Sequence, residues 1–330
     1  MGASTSAPDV GPAPGRAGQR RFGVEYELGF QTDLDGNEIA RRLTRASGQT
    51  CCYAGPNYIT SGSNSIHRVT GNWKLVADPS IDFRGSRTPL KGIELVSPIL
   101  KGEDGLNKIH AMIKAVSEVG GKVNQSVGHH VHIDAKNMDL TEIKKVCVAF
   151  VVYEKVFDLM TSKSRQTNRW CKSVQAMVLN SSGGNMQTAL NRIKNAQSRA
   201  EVVQLVNKND RYYKLNVTNL TGGHGHGTIE FRMHQGTHNA EKTRNWVEML
   251  QRFVDHVTTR DEYMAPLPNQ PPAKMWLHMM QRVIHKESLT TWCWQRILEL
   301  DERPERRPVR VSTDLRGQVQ RSGLEVLKFW

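Results

Sequence analysis

The chain has 330 residues, 38% of them hydrophobic and 23% charged, enough apolar material to bury a core in one large domain or two modest ones. Lys and Arg outnumber Asp and Glu by 45 to 32, giving a net charge of +13 and a pI near 9.6. That balance favours polyanionic partners (nucleotides, nucleic acid or acidic substrates) without choosing among them. The five cysteines form no CxxC pair and are odd in number, which argues against a disulfide framework and against a cysteine zinc site. The longest apolar run, 146–153, is too short to span a bilayer, and no apolar leader is visible, so a cytoplasmic location is expected.

Residues 1–20 are dominated by Gly, Ala, Ser and Pro and are expected to be a disordered tail. Met1–Ser6 also fits a myristoylation pattern, although Gly and Ser are ordinary in such tails. The first core-like segment is 22–30, an alternating strand with Glu25 and Glu27 on one face and Val24, Tyr26 and Leu28 on the other. Residues 47–72, rich in Gly, Ser, Asn and Thr, read as a long loop or weak hairpin. Strands are expected over 73–78 and 92–97, with a turn-rich stretch between them. A helix over 106–119 stops at Gly120-Gly121. A strand follows over 127–134, then a helix capped by Thr141 and running to about Met160.

Residues 163–214 carry ten Lys or Arg against Glu201 and Asp210 and are expected to hold two short helices. Paired strands over 212–217 and 228–234 are joined by a Gly-rich linker, and helices are expected over 240–257, 273–285 and 289–300. The domain reading is a tail over 1–20, a catalytic domain over 21–260, a helical extension over 261–300 and a basic Pro/Arg-rich tail over 301–330. Strands and helices do not alternate regularly, so the fold class is α+β with a largely antiparallel sheet.

Five strands place acids, imidazoles or cations on one face: Glu25 and Glu27; Asp78; Glu94; His130, His132 and Asp134; and Glu230, Arg232 and His234. A half-solvated sheet would show the same alternation, but its outer face would mix Lys, Thr, Ser and Glu. Carboxylates gathered on one face repel unless a cation neutralises them, and hard divalent cations suit oxygen ligands with an added imidazole. His130-x-His132 taken alone reads either as a ligand pair or as a hydrogen-bonded packing pair. No HExxH, Walker A or GxGxxG pattern is present.

Five blocks in order resemble the amidoligase family, a branch of the glutamine synthetase and glutamate–cysteine ligase superfamily of carboxylate–amine ligases. They are Phe22-Gly23-Val24-Glu25-Tyr26-Glu27, then Trp73 to Ser80, then Gly92-Ile93-Glu94-Leu95-Val96-Ser97-Pro98, then Gly128-His129-His130-Val131-His132-Ile133-Asp134. The last pairs Arg211 to Asn216 with Thr228 to Arg232, followed by Gly236-Thr237. The resemblance covers about residues 20–257 and implies a glutamine synthetase-like fold, a curved sheet with helices on its outer face.

By this resemblance Glu25, Glu27, Glu94, His130 and Glu230 are expected to ligate Mg²⁺ or Mn²⁺. Arg232 resembles the arginine that faces the transferring phosphoryl group, and Glu230 and Asp78 join it as catalytic residues, Asp78 as a proton acceptor. Arg211, Lys214, Asn216, His132 and Arg232 are expected to contact ATP or substrate. His129 departs from the pattern, and by strand phase it is expected to be structural. The implied activity is ATP- and Mg²⁺-dependent amide formation between a carboxylate and an amine, each a small molecule or peptide, with a nucleic-acid-linked substrate also open. Two alternatives stand beside it: a catalytically inactive, basic nucleic-acid-binding or structural protein, motivated by the 163–214 segment, and a metal-dependent amide hydrolase.

Overall fold

The computed structural model describes residues 20–55, 71–221, 226–265 and 270–301. The expectations for both terminal tails, for part of the 47–72 loop and for the centre of the Gly-rich linker fall outside these residues.

Eight strands form one sheet: β1 (Arg21–Gln31), β2 (Cys51–Tyr53), β3 (Trp73–Ala77), β4 (Leu90–Val96), β5 (Leu100–Lys101), β6 (Gly128–Asp134), β7 (Leu215–Asn216) and β8 (Thr228–Gln235). Their order is β2-β3-β4-β1-β6-β8-β7, with β5 also paired to β1. Only β2 and β3 run parallel; the other pairs are antiparallel. The longest strand, β1, therefore sits near the centre, between β4 and β6. The fold is mixed α and β around an open, mostly antiparallel sheet.

The helices are α1 (Gly36–Ser47), α2 (Gly102–Glu118), α3 (Leu140–Leu159), α4 (Lys163–Gln166), α5 (Val174–Asn180), α6 (Met186–Lys194), α7 (Arg199–Asn207), α8 (Ala240–Thr259), α9 (Pro272–Met279) and α10 (Glu287–Leu300). Helix α1 starts on Asp35, whose carboxylate accepts from the Glu38 amide at 2.8 Å, and ends on Gly48 in the left-handed region, φ 69°. Helix α3 is capped by Asp139 rather than Thr141. Asp139 and Glu142 exchange side-chain-to-backbone bonds of 2.8 and 2.9 Å in a capping box, which moves the helix start two residues upstream of the sequence reading. Four short helices, not two, occupy 163–214.

One face of the sheet carries Val24, Tyr26, Leu28, Leu95, Val131, Ile133 and Phe231, all buried in the main core. Helices α3 and α8 pack there, with Phe150 and Phe253 edge-on to Phe231 at 6.0 and 6.5 Å. The same core continues through Trp276, Met279, Ile284, Cys293 and Trp294, so α9 and α10 extend it rather than forming a separate one.

A smaller apolar cluster of Ile81, Phe83 and Val127 lies elsewhere, against Gly29 and Gly92, which face each other across β1 and β4. A Cβ on Gly29 would stand 2.7 Å from Phe83, and one on Gly92 2.5 Å from Ile81. Two glycines in the ladder thus let the 78–89 segment lie directly on the sheet. Among the described residues no helix is long and apolar enough to cross a membrane.

Candidate active site

The second sheet face is built by register. Glu25 of β1 stands opposite His130 of β6, Glu27 stands opposite Glu94 of β4, and His132 of β6 stands opposite Glu230 of β8, which in turn faces Asn216 of β7. Residues more than two hundred positions apart therefore converge because the alternation of each strand is locked to its neighbour. Ser97 secures the register at one end: its hydroxyl accepts from the Val24 amide at 2.9 Å, and its own amide donates to the Val24 carbonyl at 2.9 Å.

The contacts are short. His130 Nδ1 lies 3.4 Å from Glu25 Oε2 and 3.8 Å from Glu230 Oε1, while its Nε2 lies 3.8 Å from Glu27 Oε1. His132 Nε2 is 3.3 Å from Glu25 Oε1 and 3.8 Å from Glu230 Oε1. Asn216 donates to Glu230 Oε2 at 2.6 Å, and Arg232 pairs with Glu230 Oε1. The Gly128 amide donates to Glu27 Oε2 at 2.6 Å. A Cβ on Gly128 would lie 2.9 Å from both His130 Nε2 and Arg165 Nη2, so the residue opening β6 must be small for these two groups to approach.

Two sets offer ligand atoms that all lie within 4.8 Å of one another: Glu25, His132 and Glu230, and Glu25, Glu94 and His130. Glu25 belongs to both. The electrostatics fit a cation. Burial, and behind it the charges of Glu25, Glu27, Asp78 and Glu230, push the Glu94 carboxyl well above the ordinary range. Burial works against ionisation of Glu25 and Glu230 as well, yet both are held low, Glu25 by His132 and His130 and Glu230 by Arg232 and the same two imidazoles. Burial lowers His132, but Glu25 and Glu230 overcome it and raise the imidazole to about 9. The raised His132 imidazole and the raised Glu94 carboxyl thus offset charge that a divalent cation would neutralise directly, and the oxygen-rich donor set with two imidazoles fits Mg²⁺ or Mn²⁺.

Of the residues expected at the site, Glu25, Glu27, Glu94, His130, His132, Asn216, Glu230 and Arg232 come together. Asp78 lies close enough to act on Glu94, and its Oδ1 accepts from the Ser80 amide at 2.8 Å. Arg211 is exposed at the rim, its guanidinium 5.1 Å from the centre of the Tyr212 ring. Lys214 is not brought to the cluster. Its fully buried ammonium donates to Asp158 at 2.5 Å and to Glu154 at 3.1 Å, both on α3. The residues 211–214 precede the regular strand, so counting alternation back from Asn216 fails for Lys214.

His234 also departs from the sequence reading. His129 pairs with His234 and Val131 with Phe231, so Arg232 and Met233 together oppose the single residue His130. This β-bulge reverses the alternation and turns His234 to the helix side, where it meets His129 edge-on at 5.4 Å and Trp246 at 4.8 Å. His129 itself stacks on Tyr26 at 4.3 Å, on the face assigned to it by strand phase.

Two residues escaped the sequence reading. Lys74, opposite Val96 beside Glu25, is buried; burial depresses its pKa against the pull of Glu94 and Glu25. Its place in an alternating block carried the signal. Arg165, buried in α4, donates to the Arg232 carbonyl at 2.5 Å, and nothing in its basic local sequence distinguished it from a solvated cation.

A family model described as "putative amidoligase enzyme" matches residues 18–254, which contain every strand among the described residues and every residue of the cluster. A search of curated proteins finds no match to the chain. With the match covering most of its length, the chain belongs to the amidoligase family, whose description is that of a ligase forming amide bonds.

Proposed function

We propose that the chain is an ATP- and Mg²⁺-dependent carboxylate–amine ligase that works through an acyl phosphate. The carboxylate takes the γ-phosphoryl group of ATP, releasing ADP; the amine then displaces phosphate, loses a proton and leaves the amide. The observation that carries this reading is the convergence of Glu25, Glu94, His130, His132 and Glu230 on one sheet face in two sets of three that share Glu25, each with its ligand atoms within 4.8 Å of one another. A hydrophobic or merely solvated face has no use for such a set.

Glu25, Glu27, Glu94, His130 and Glu230 would hold the divalent cations. Bound Mg²⁺ would neutralise phosphoryl charge and orient the phosphate oxygens. Arg232 keeps its charge at any working pH, since Glu230 and Glu25 support the guanidinium against burial. It is fixed at both ends, by Glu230 at its side chain and by Arg165 at its carbonyl. A guanidinium so placed stabilises charge developing on a transferring phosphoryl group. Asn216 and His132 hold the Glu230 carboxylate from two sides, and Asp78, near the edge of the cluster, is the base assigned to the amine proton.

The test is ADP formation with Mg²⁺ across pools of acids and amines. ADP that appears only when an acid and an amine are both present supports the reading. Arg232→Ala should then lower turnover about a thousandfold or more, and Glu230→Ala should abolish it, with circular dichroism unchanged. Full activity in either variant sinks that residue's role. Amide cleavage without ATP consumption would identify a metal-dependent hydrolase instead.

A further inference from the structure

Beyond Arg232 the rim of the site carries cations and rings in alternation that the reading above leaves largely unused. The Arg232 guanidinium lies 5.8 Å from the centre of the Tyr212 ring, and that of Arg211 lies 5.1 Å from the same centre. Trp170 meets Tyr212 nearly edge-on, with centroids 4.9 Å apart and planes at 73°. The Arg169 guanidinium stands 4.7 Å from the centre of the Trp170 ring. Cation and aromatic groups thus run from the phosphoryl-facing arginine outward to an indole.

That indole is open to solvent. Among the described residues only Trp170, at 36%, and Ile99 are large hydrophobics left exposed. Its backbone is nonetheless fixed. The Trp170 amide donates to Asn168 Oδ1 at 2.7 Å, and Asn168 Nδ2 donates to the Ser164 carbonyl at 2.6 Å. The next residue, Cys171, is buried, and its Sγ donates to the Arg232 carbonyl at 3.6 Å. The turn presenting Trp170 is therefore tied to the strand residue that faces the phosphoryl group. A free-standing surface tryptophan needs no such attachment.

We propose that Trp170 and Tyr212, flanked by Arg169 and Arg211, form a shelf on which the nucleobase of the bound nucleotide stacks. This rests on the ATP reading of the site. A base offers a flat π-face of the kind that aromatic and guanidinium planes take up, and it is tethered to phosphates that need cations a short distance away. Arg232 and Arg211 supply those cations, and the rings lie just beyond them, within reach of a nucleoside triphosphate. An oligonucleotide substrate would present the same base chemistry, and the basic 163–214 segment would not repel it. The single shelf, contiguous with Arg232 and one ring wide at its exposed end, matches one base on one triphosphate.

Binding measured on the full-length protein with Mg²⁺ tests this. The probes are ATP, inorganic tripolyphosphate, which has no base, and a short oligoribonucleotide. Trp170→Ala is expected to weaken ATP about tenfold and leave tripolyphosphate unchanged, while Trp170→Phe keeps most of the ATP affinity. The intrinsic emission lost in Trp170→Phe should be the portion that ATP quenches in the native protein. Equal ATP affinity in the native protein and Trp170→Ala overturns the shelf and leaves the ligase reading standing. A native protein that binds neither ATP nor tripolyphosphate overturns both. Loss confined to the oligoribonucleotide would mean that the ring serves a substrate's base, and the nucleotide shelf would be wrong.

Discussion

Replacing His132 by Gln tests the electrostatic balance of the site in the metal-free protein. His132 is raised from 6.5 to about 9, its side chain only 16% exposed and set 3.3 Å from Glu25. A base whose folded value exceeds its unfolded value contributes stability that is fully present below about pH 6.5 and is lost as the pH rises through about 9. At about 1.4 kcal/mol per pKa unit the contribution is on the order of 3 kcal/mol. Urea unfolding in EDTA at about pH 6 and about pH 10, for the native protein and His132→Gln, isolates it, because other titrating groups cancel in the difference. The native protein should lead the variant by roughly 3 kcal/mol more at the lower pH than at the higher. Saturating Mg²⁺ should shrink this gap, since a cation held by Glu25 and Glu230 offsets the carboxylate charges that raise the His132 imidazole. A native-minus-variant difference that stays flat with pH would show that His132 is not charged by its carboxylate neighbours and would refute the balance described for the cluster.

Mg²⁺ at a hundredfold excess over its Kd should stabilise the native protein by about 2.7 kcal/mol, and Glu25→Gln, which removes the residue common to both ligand sets, should lose most of that gain in the same melting experiment. Lys214→Met should cost about 3–5 kcal/mol, because Glu154 and Asp158 stay buried without their cation. Adding Glu154→Gln and Asp158→Asn should restore part of it, and no restoration would mean that the charges were not the cause. Gly92→Ala, with its Cβ pressed 2.5 Å from Ile81, should cost about 1–3 kcal/mol by chemical denaturation; a neutral result would show that the 78–89 segment does not rest on the sheet.

Much of the sheet was legible because alternation is local. Glu25, Glu94 and Glu230 each lie between buried apolar neighbours and His130 between the buried His129 and Val131, and antiparallel pairing then carries them to one face. Where the local rule breaks, reading from sequence breaks too. The bulge opposite His130 comes from pairing between β6 and β8, which no single strand reveals, and it sends His234 to the wrong side of the prediction. Lys214 was misplaced because its partners, Glu154 and Asp158, belong to a helix whose acids look like solvated positions until the tertiary contact exists. Helix α1 went unanticipated, although Asp35, Glu38 and Gly48 mark its ends. The spacing that defines four short helices in 163–214 is diluted by loops, and there the sequence predicts only two short helices in a basic run.

The bulge in β8 has a consequence for how tolerant this strand is to change. Before it, even-numbered positions serve the carboxylate pocket; after it, His234 belongs to the aromatic stack beneath the helices. One contiguous octapeptide thus answers to two environments, and the hinge between them is a matter of residue count rather than residue type. Exchanging Met233 for another apolar side chain leaves the phase intact. Deleting Met233 would remove the bulge and leave Arg232 alone opposite His130, with Phe231 and His234 still on the helix side of a regular ladder, so this stretch should accept the loss of that residue more readily than a strand without a bulge would.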